Sequence, residues 1–257
     1  MNFSSISIKG RYSALIAYMV MFISIPIVWL IAVQLSDLPS VILPPPSKVW
    51  AVLTAEFSSL WYHTGVTIGE AVLGYAVANV IAIFLAVLFI YSPWTEHFVT
   101  PWMVLIRNVP FVTVASILIV TLGDGLGTKV IVVVLVSFFP LLANLVKGLN
   151  SAPPELIDRM KVMNASRWQV FKRVLWPAAL PYYVAAHEIA FTGSIIGAIV
   201  AEWFFARKGL GFLIVQSTIE YRADRLYAVT LIASLLAIAA YLLCKLWEHW
   251  VFRWKRR

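Results

Sequence analysis

Long apolar runs almost free of charge constrain this chain most, because a helix needs roughly 20 such residues to cross the hydrocarbon of a bilayer. Six runs qualify, at about 13–33, 64–91, 99–122, 128–148, 179–204 and 225–250. Backbone polar groups cannot stay unpaired in lipid, so runs of this kind are predicted to be helices. Of the 257 residues, 61% are hydrophobic and 12% charged, whereas an ordinary soluble domain is about a quarter charged. The fold class expected is all-α: a polytopic helical membrane protein of about six transmembrane helices, forming one domain over 1–257. The first run is too long for the apolar core of a signal peptide, and no small-residue cleavage pattern precedes Gln34, so it is predicted to remain as a span.

Lys and Arg near span ends predict orientation. With the N-terminus inside, thirteen fall on the cytoplasmic side: Lys9, Arg11, Lys147, Arg159, Lys161, Arg167, Lys172, Arg173, Lys245, Arg253, Lys255, Arg256 and Arg257. Six fall outside: Lys48, Lys129, Arg207, Lys208, Arg222 and Arg225, leaving Arg107 within a span. Both termini are therefore expected in the cytoplasm. The net charge of +8 reads as this bias plus attraction to anionic lipid, not as a nucleic-acid surface. Ser36 to Ser47, with Pro39 and Pro44 to Pro46, reads as a stiff connector, and Lys48 to Leu60 as an interfacial amphipathic helix.

One polar stretch interrupts the apolar pattern, SAPPELIDRMKVMNASRWQVFKRVLWPAALP from Ser151 to Pro181. Pro153 and Pro154 suit a first helical turn, where a missing N–H costs nothing, and Glu155 there meets the positive end of the dipole. That helix is predicted to run to about Met163. Asn164 follows where a left-handed residue is needed. Ser166 and Gln169 have the spacing of a capping box, so a second helix starts at once. It carries Trp168, Phe171, Val174 and Leu175 on one side and Lys172 and Arg173 on another, and Pro177 and Pro181 are expected to limit it. The product is two short helices joined by a specified turn.

Several chemistries fail on the sequence. Gly123 to Lys129 has Thr128 between Gly127 and the lysine and no Ser or Thr after it, so it is no phosphate loop. His187-Glu188 begins like a zinc-protease helix, but Phe191 stands where the second histidine is required. Cys244 is the only cysteine, which excludes a disulfide or thiolate metal site within one chain. No metal site is expected.

The stretch around Ser151 to Pro181 resembles the cytoplasmic EAA loop of ATP-binding-cassette importer permeases, whose pattern is Glu-Ala-Ala, three residues, Gly, nine residues, an aliphatic, one residue, Leu-Pro. Asp158-Arg159-Met160 stands in place of Glu-Ala-Ala, Asn164 of Gly, Val174 of the aliphatic and Trp176-Pro177 of Leu-Pro. The resemblance extends to the nitrate, sulfonate, taurine and pyrimidine-precursor importers through LPPPSKVW, the run from Thr64 to Gly74, FFPLLANLVKGL, IVAEW and GLGFLI. It implies a type I importer permease fold with a coupling loop at about 150–177. The implied partners are two copies of an ATPase subunit, an extracytoplasmic solute-binding protein and a second permease copy, forming a homodimer in the cell inner membrane. Cofactors are none in this chain, ATP being used by the partner subunit. Asp158, Asn164, Ala165, Ser166, Trp168, Phe171 and Pro177 are the implied ATPase-coupling residues. Trp168 and Phe171 read either as anchors in an ATPase groove or as packing against the permease's own helices.

Ionisable residues in spans are costly and face protein or water. Arg107 with Asn108, at a kink before Pro110, is expected to face the pathway and help a polar or anionic solute through. Glu202 is a candidate gate element near the outer end of the fifth span. Glu70 and Glu188 are expected in structural hydrogen bonds or charge pairs. The GxxxG spacings Gly65–Gly69 and Gly193–Gly197 allow close helix approach. The second reads either as packing within one subunit or as a pathway-lining face. On the outer side, Arg207, Lys208, Arg222 and Arg225 lie near Glu220 and Asp224, as solvated ion pairs or as a docking patch for the binding protein. A secondary transporter is the alternative, though no paired broken helices in repeated halves are evident. A membrane enzyme would need a convergent polar set, and none emerges. The solute itself is not legible.

Overall fold

The computed structural model describes residues 8–204 and 206–252, with the side chains of residues 8–19, 21, 22 and 107 outside the description. The orientation charges Lys9, Arg11, Arg253, Lys255, Arg256 and Arg257 therefore fall outside the described side chains. All regular structure among the described residues is helical: α1 (Ile8–Leu35), α2 (Pro46–Ala55), α3 (Phe57–Tyr91), α4 (Pro93–Asn108), α5 (Phe111–Leu122), α6 (Leu126–Leu149), α7 (Pro154–Val162), α8 (Arg167–Val170), a π turn (Phe171–Leu175), α9 (Trp176–Glu202), α10 (Leu210–Ile219) and α11 (Ala223–Val251).

Among the described residues four helices are long and apolar enough to cross a membrane: α3, α6, the continuous Arg167–Glu202 and α11. The third predicted run, 99–122, is broken instead of straight. Its two halves meet at 94°, because Pro110 offers no N–H and drives Val109 into extended backbone, φ −79 and ψ 130. Asn108 Nδ2 donates to Val104 O at 2.7 Å and closes the end of α4. The expected helix at 48–60 is likewise divided, with Glu56 between α2 and α3 at φ −103, ψ 18.

The core is built on small residues. Ala78, Ala82 and Ala86 of α3 are fully buried with Leu141, Leu142 and Leu145 of α6 and Ala179, Ala186 and Ala190 of α9. Lipid is as apolar as leucine, so helices gain little by hiding large side chains and more by close backbone approach. Gly148 shows the consequence: a Cβ there would lie 2.8 Å from Ala179 Cα. Ser137 Oγ donates to Ala190 O at 3.1 Å across the same α6–α9 seam. Large apolar residues such as Val80, Phe84, Leu243 and Leu246 point outward, the reverse of a water-soluble core.

Two polar clusters fix the middle and one end of the bundle. Tyr183 Oη donates to Asn79 Oδ1 at 2.9 Å, Tyr75 Oη pairs with His187 Nδ1, and the His187 ring is enclosed by Tyr183 and Trp247. Lys245 of α11 binds Glu188 of α9 at 2.6 Å and Glu248 at 3.1 Å. The His187-Glu188 pair is thereby used in packing and ion pairing.

Candidate functional site

The segment from Pro153 to Trp176 is a preformed hairpin at one end of the bundle. Met160 O accepts from Ala165 N at 2.9 Å and Lys161 O from Asn164 N at 2.9 Å, a Schellman closure that places Asn164 at φ +53. Ser166 Oγ then accepts from Gln169 N at 3.3 Å while Gln169 Oε1 accepts from Ser166 N at 2.8 Å. One residue, Ala165, separates the two motifs, so the turn has almost no freedom. A cap of this kind contributes about 1 kcal/mol.

The helix after the turn is not short, contrary to expectation. It runs without a break from Arg167 to Glu202, 36 residues, and neither Pro177 nor Pro181 limits it. Around Phe171–Leu175 the helix widens, with Trp176 N bonded to Phe171 O. Widening immediately before Pro177 moves the carbonyls that its ring would strike, and membrane helices accommodate a proline through such local adjustment.

Trp168 and Phe171 have different surroundings. Phe171 is buried, 7% exposed, within the α3–α6–α9 core, and stacks on Trp168 at 5.3 Å. Trp168 is 59% exposed, as are Val162 at 89% and Met163 at 74%. Asp158 is exposed and pairs locally, with Lys161 at 2.9 Å. Leu156, Val162 and Met163 escaped the sequence reading; the signal was present as apolar residues at solvent-facing positions of a polar helix.

At the opposite end, α9 terminates in a buried latch. Glu202 is 1% exposed. Its carboxylate accepts from Thr67 Oγ1 at 2.8 and 3.1 Å and from Gly211 N at 2.7 Å. Thr67 accepts from Leu210 N at 2.9 Å, and His63 Nδ1 from Gly209 N at 2.9 Å. Three of the orphan N–H groups that open α10, those of Gly209, Leu210 and Gly211, are thus satisfied by α3 and α9. Gly209 has φ +105, and a Cβ on it or on Gly211 would collide with Glu202. At Gly211 the Ile199 carbonyl is closer still, 2.1 Å from where a Cβ would stand.

Beside the latch, Glu70 and Lys129 are both 3% exposed. Lys129 Nζ lies 3.2 Å from Glu70 Oε1 and 3.1 Å from Asp124 Oδ1, joining α3 to the start of α6. Glu70 Oε2 finds no donor among the described residues, and Asp124 and the Glu202 carboxyl are its further electrostatic neighbours.

The four outer cations separate into two pairs. Arg222 binds Glu56 at 2.7 Å and Asp224 at 3.5 Å, and Arg225 binds Glu56 at 3.1 Å and Glu220 at 3.6 Å. They strap the start of α11 to the α2–α3 corner, and the hydrogen bond that Arg222 donates to Glu56 raises the Arg222 pKa above its ordinary value. Arg207 and Lys208 are exposed and line a cavity of about 520 Å³. The GxxxG pairs separate as well. A Cβ on Gly193 or Gly197 would lie 3.3 Å from Val136 of α6, whereas Gly65 and Gly69 face open space. Asn108 is exposed at the α4–α5 break; the Arg107 side chain lies outside the description. Among the described residues no three His, Cys, Asp or Glu are grouped to hold a metal.

A family profile described as binding-protein-dependent transport system inner membrane component matches residues 78–257. The chain is 31% identical to the riboflavin transport system permease protein of Chloroflexus aurantiacus, over 88% of this chain and 85% of that one. It is 27% identical to the formylaminopyrimidine transport permease protein of Halalkalibacterium halodurans, over 92% and 94% of the two chains. In fold it is similar to an amino acid ABC transporter solved with histidines, with a TM-score of 0.61 at 13% identity over 77% of this chain and 97% of that one.

Proposed function

This chain belongs to the family of binding-protein-dependent transport system inner membrane components, and from that membership we propose how its parts serve solute import. It is the membrane-spanning permease subunit of an ATP-binding-cassette importer. Two copies enclose the pathway, with two ATPase subunits on the cytoplasmic face and a solute-binding protein on the other. Both termini and the hairpin lie on the cytoplasmic side. The permease carries no nucleotide or other cofactor and is not itself an enzyme; ATP is consumed by the partner subunits. The solute is a small organic molecule of the kind handled by the riboflavin, formylaminopyrimidine and taurine relatives.

The observation that carries this reading is the continuity of Arg167–Glu202. At about 1.5 Å per residue, such a helix reaches through a bilayer and beyond it. One of its ends holds the hairpin, with Trp168, Leu156, Val162 and Met163 exposed, and the other holds the Glu202 latch. Docked in an ATPase groove, Trp168 and its exposed apolar neighbours act as the anchor, because buried aromatic anchors dominate interface energy. Asn164, Ala165 and Ser166 keep the hairpin stiff, Asp158 flanks the contact, and Phe171 and Pro177 set the direction in which the lever enters the bundle. ATPase closure then tilts α9, and the bundle rocks between inward-open and outward-open forms. The α4–α5 break, which carries Arg107 and Asn108 in its sequence, borders the pathway. Arg207 and Lys208 meet the binding protein, while Arg222 and Arg225 hold the fold against it.

Reconstitution tests the reading. Vesicles holding this chain with its ATPase are expected to accumulate solute only with ATP and binding protein present. Uptake by this chain alone, or modification of a cysteine introduced at position 164 from outside intact cells, would overturn it.

A further inference from the structure

The cavity of about 520 Å³ beside the latch is bounded by Gly65, Gly69 and Glu70 of α3, Asp124 before α6, Lys129 of α6, and Arg207 with Lys208. We propose that this cavity is an anion-accepting vestibule, in which a small solute bearing a carboxylate, sulfonate or phosphate group is received before it enters the bundle. The proposal rests on the permease reading above and adds a location and a charge preference to it.

Three independent features support it. First, the charge is unevenly spent. Lys129 is buried and already divided between Glu70 and Asp124, whereas Arg207 and Lys208 make no ion pair among the described residues and stand at the cavity rim. The third carboxylate nearby, Glu202, accepts from Thr67 and Gly211 and borders Glu70, and it does not line the cavity. Second, the cavity is lined by Leu126, the first residue of the 24-residue α6, so the positive end of that helix adds to the field. Third, the wall lacks side chains where a solute would lie: a Cβ at Gly65 or Gly69 would meet nothing within 4 Å. A cleft with low-dielectric walls and an unneutralised cationic rim concentrates anions.

The test places a cysteine at the wall. Gly69→Cys in a Cys244→Ala background gives a single thiol at a position with room for it. The complete importer, in vesicles of neutral phosphatidylcholine, is treated with sulfonatoethyl methanethiosulfonate or with its trimethylammonium counterpart, each rate normalised to free cysteine. The anionic reagent is expected to react roughly tenfold faster, and the preference is expected to vanish when Arg207→Gln and Lys208→Gln are added. Equal rates, a preference for the cationic reagent, or no labelling in nucleotide-free and ATP-bound states alike would overturn the proposal. ATP-driven uptake, read in parallel, reports on the permease reading separately.

Discussion

The Thr67 hydroxyl donates to Glu202 Oε1 at 2.8 Å across 135 residues of sequence. The same oxygen accepts from Leu210 N at 2.9 Å. One side chain of α3 thus holds both the end of α9 and the beginning of α10, and the lever and the latch share a single joint.

Substitution in that joint should be graded. Glu202→Gln retains an oxygen for Thr67 or Gly211 and is expected to cost less than Glu202→Ala, which strands buried donors at about 1–3 kcal/mol each. Gly209→Ala meets both a left-handed backbone and the Glu202 carboxylate, and is expected to lower the melting temperature of the purified protein more than Gly65→Ala does. Thermal unfolding in detergent, followed by Trp fluorescence, checks the order; an undisturbed Gly209→Ala protein would refute the contact.

Lys129 should behave as a buried partner. Lys129→Leu leaves Glu70 without its cation and is expected to destabilise by about 3–5 kcal/mol, while Glu70→Leu combined with Lys129→Leu recovers much of the loss. Folded yield of the single and double variants measures this, and a strictly additive double variant would argue against the pair.

Asn164 offers a backbone test of the hairpin. Asn164→Gly suits φ +53 and is expected to retain full coupling. Asn164→Val puts a β-branched residue where L-residues are strained by about 1–2 kcal/mol, and should loosen the turn. Solute uptake per ATP hydrolysed is the readout, expected to fall in the valine variant with membrane insertion unchanged.

Trp168 and Phe171 should separate cleanly. Trp168→Ala removes an exposed ring and is expected to weaken capture of the ATPase subunit with little change in melting temperature. Phe171→Ala opens a cavity in the core and is expected to cost about 3–5 kcal/mol of stability. A pull-down together with a melting curve on each variant distinguishes the two roles.

Charge reversal divides the outer cations. Arg207→Glu is expected to reduce binding-protein-stimulated ATPase activity, most strongly at low salt, whereas Arg222→Glu is expected to destabilise the fold by repelling Glu56. Equal salt-dependent loss in both variants would place all four cations on one docking surface.

Much was determined by the sequence alone. Run length and the absence of charge dictated a helical membrane bundle, since lipid leaves backbone groups no other partner. The turn at Asn164 and the cap at Ser166 were equally legible, because Schellman closures and capping boxes depend on residues a few positions apart. What spacing along the chain does not encode is which distant groups meet. Pro177 and Pro181 suggested an end to a helix that a π turn carries onward, Phe171 and Trp168 looked alike until packing buried one of them, and nothing in a linear reading joins Thr67 to Glu202. Only the folded bundle decided these points, because a buried polar group takes its role from the partner that tertiary packing delivers to it.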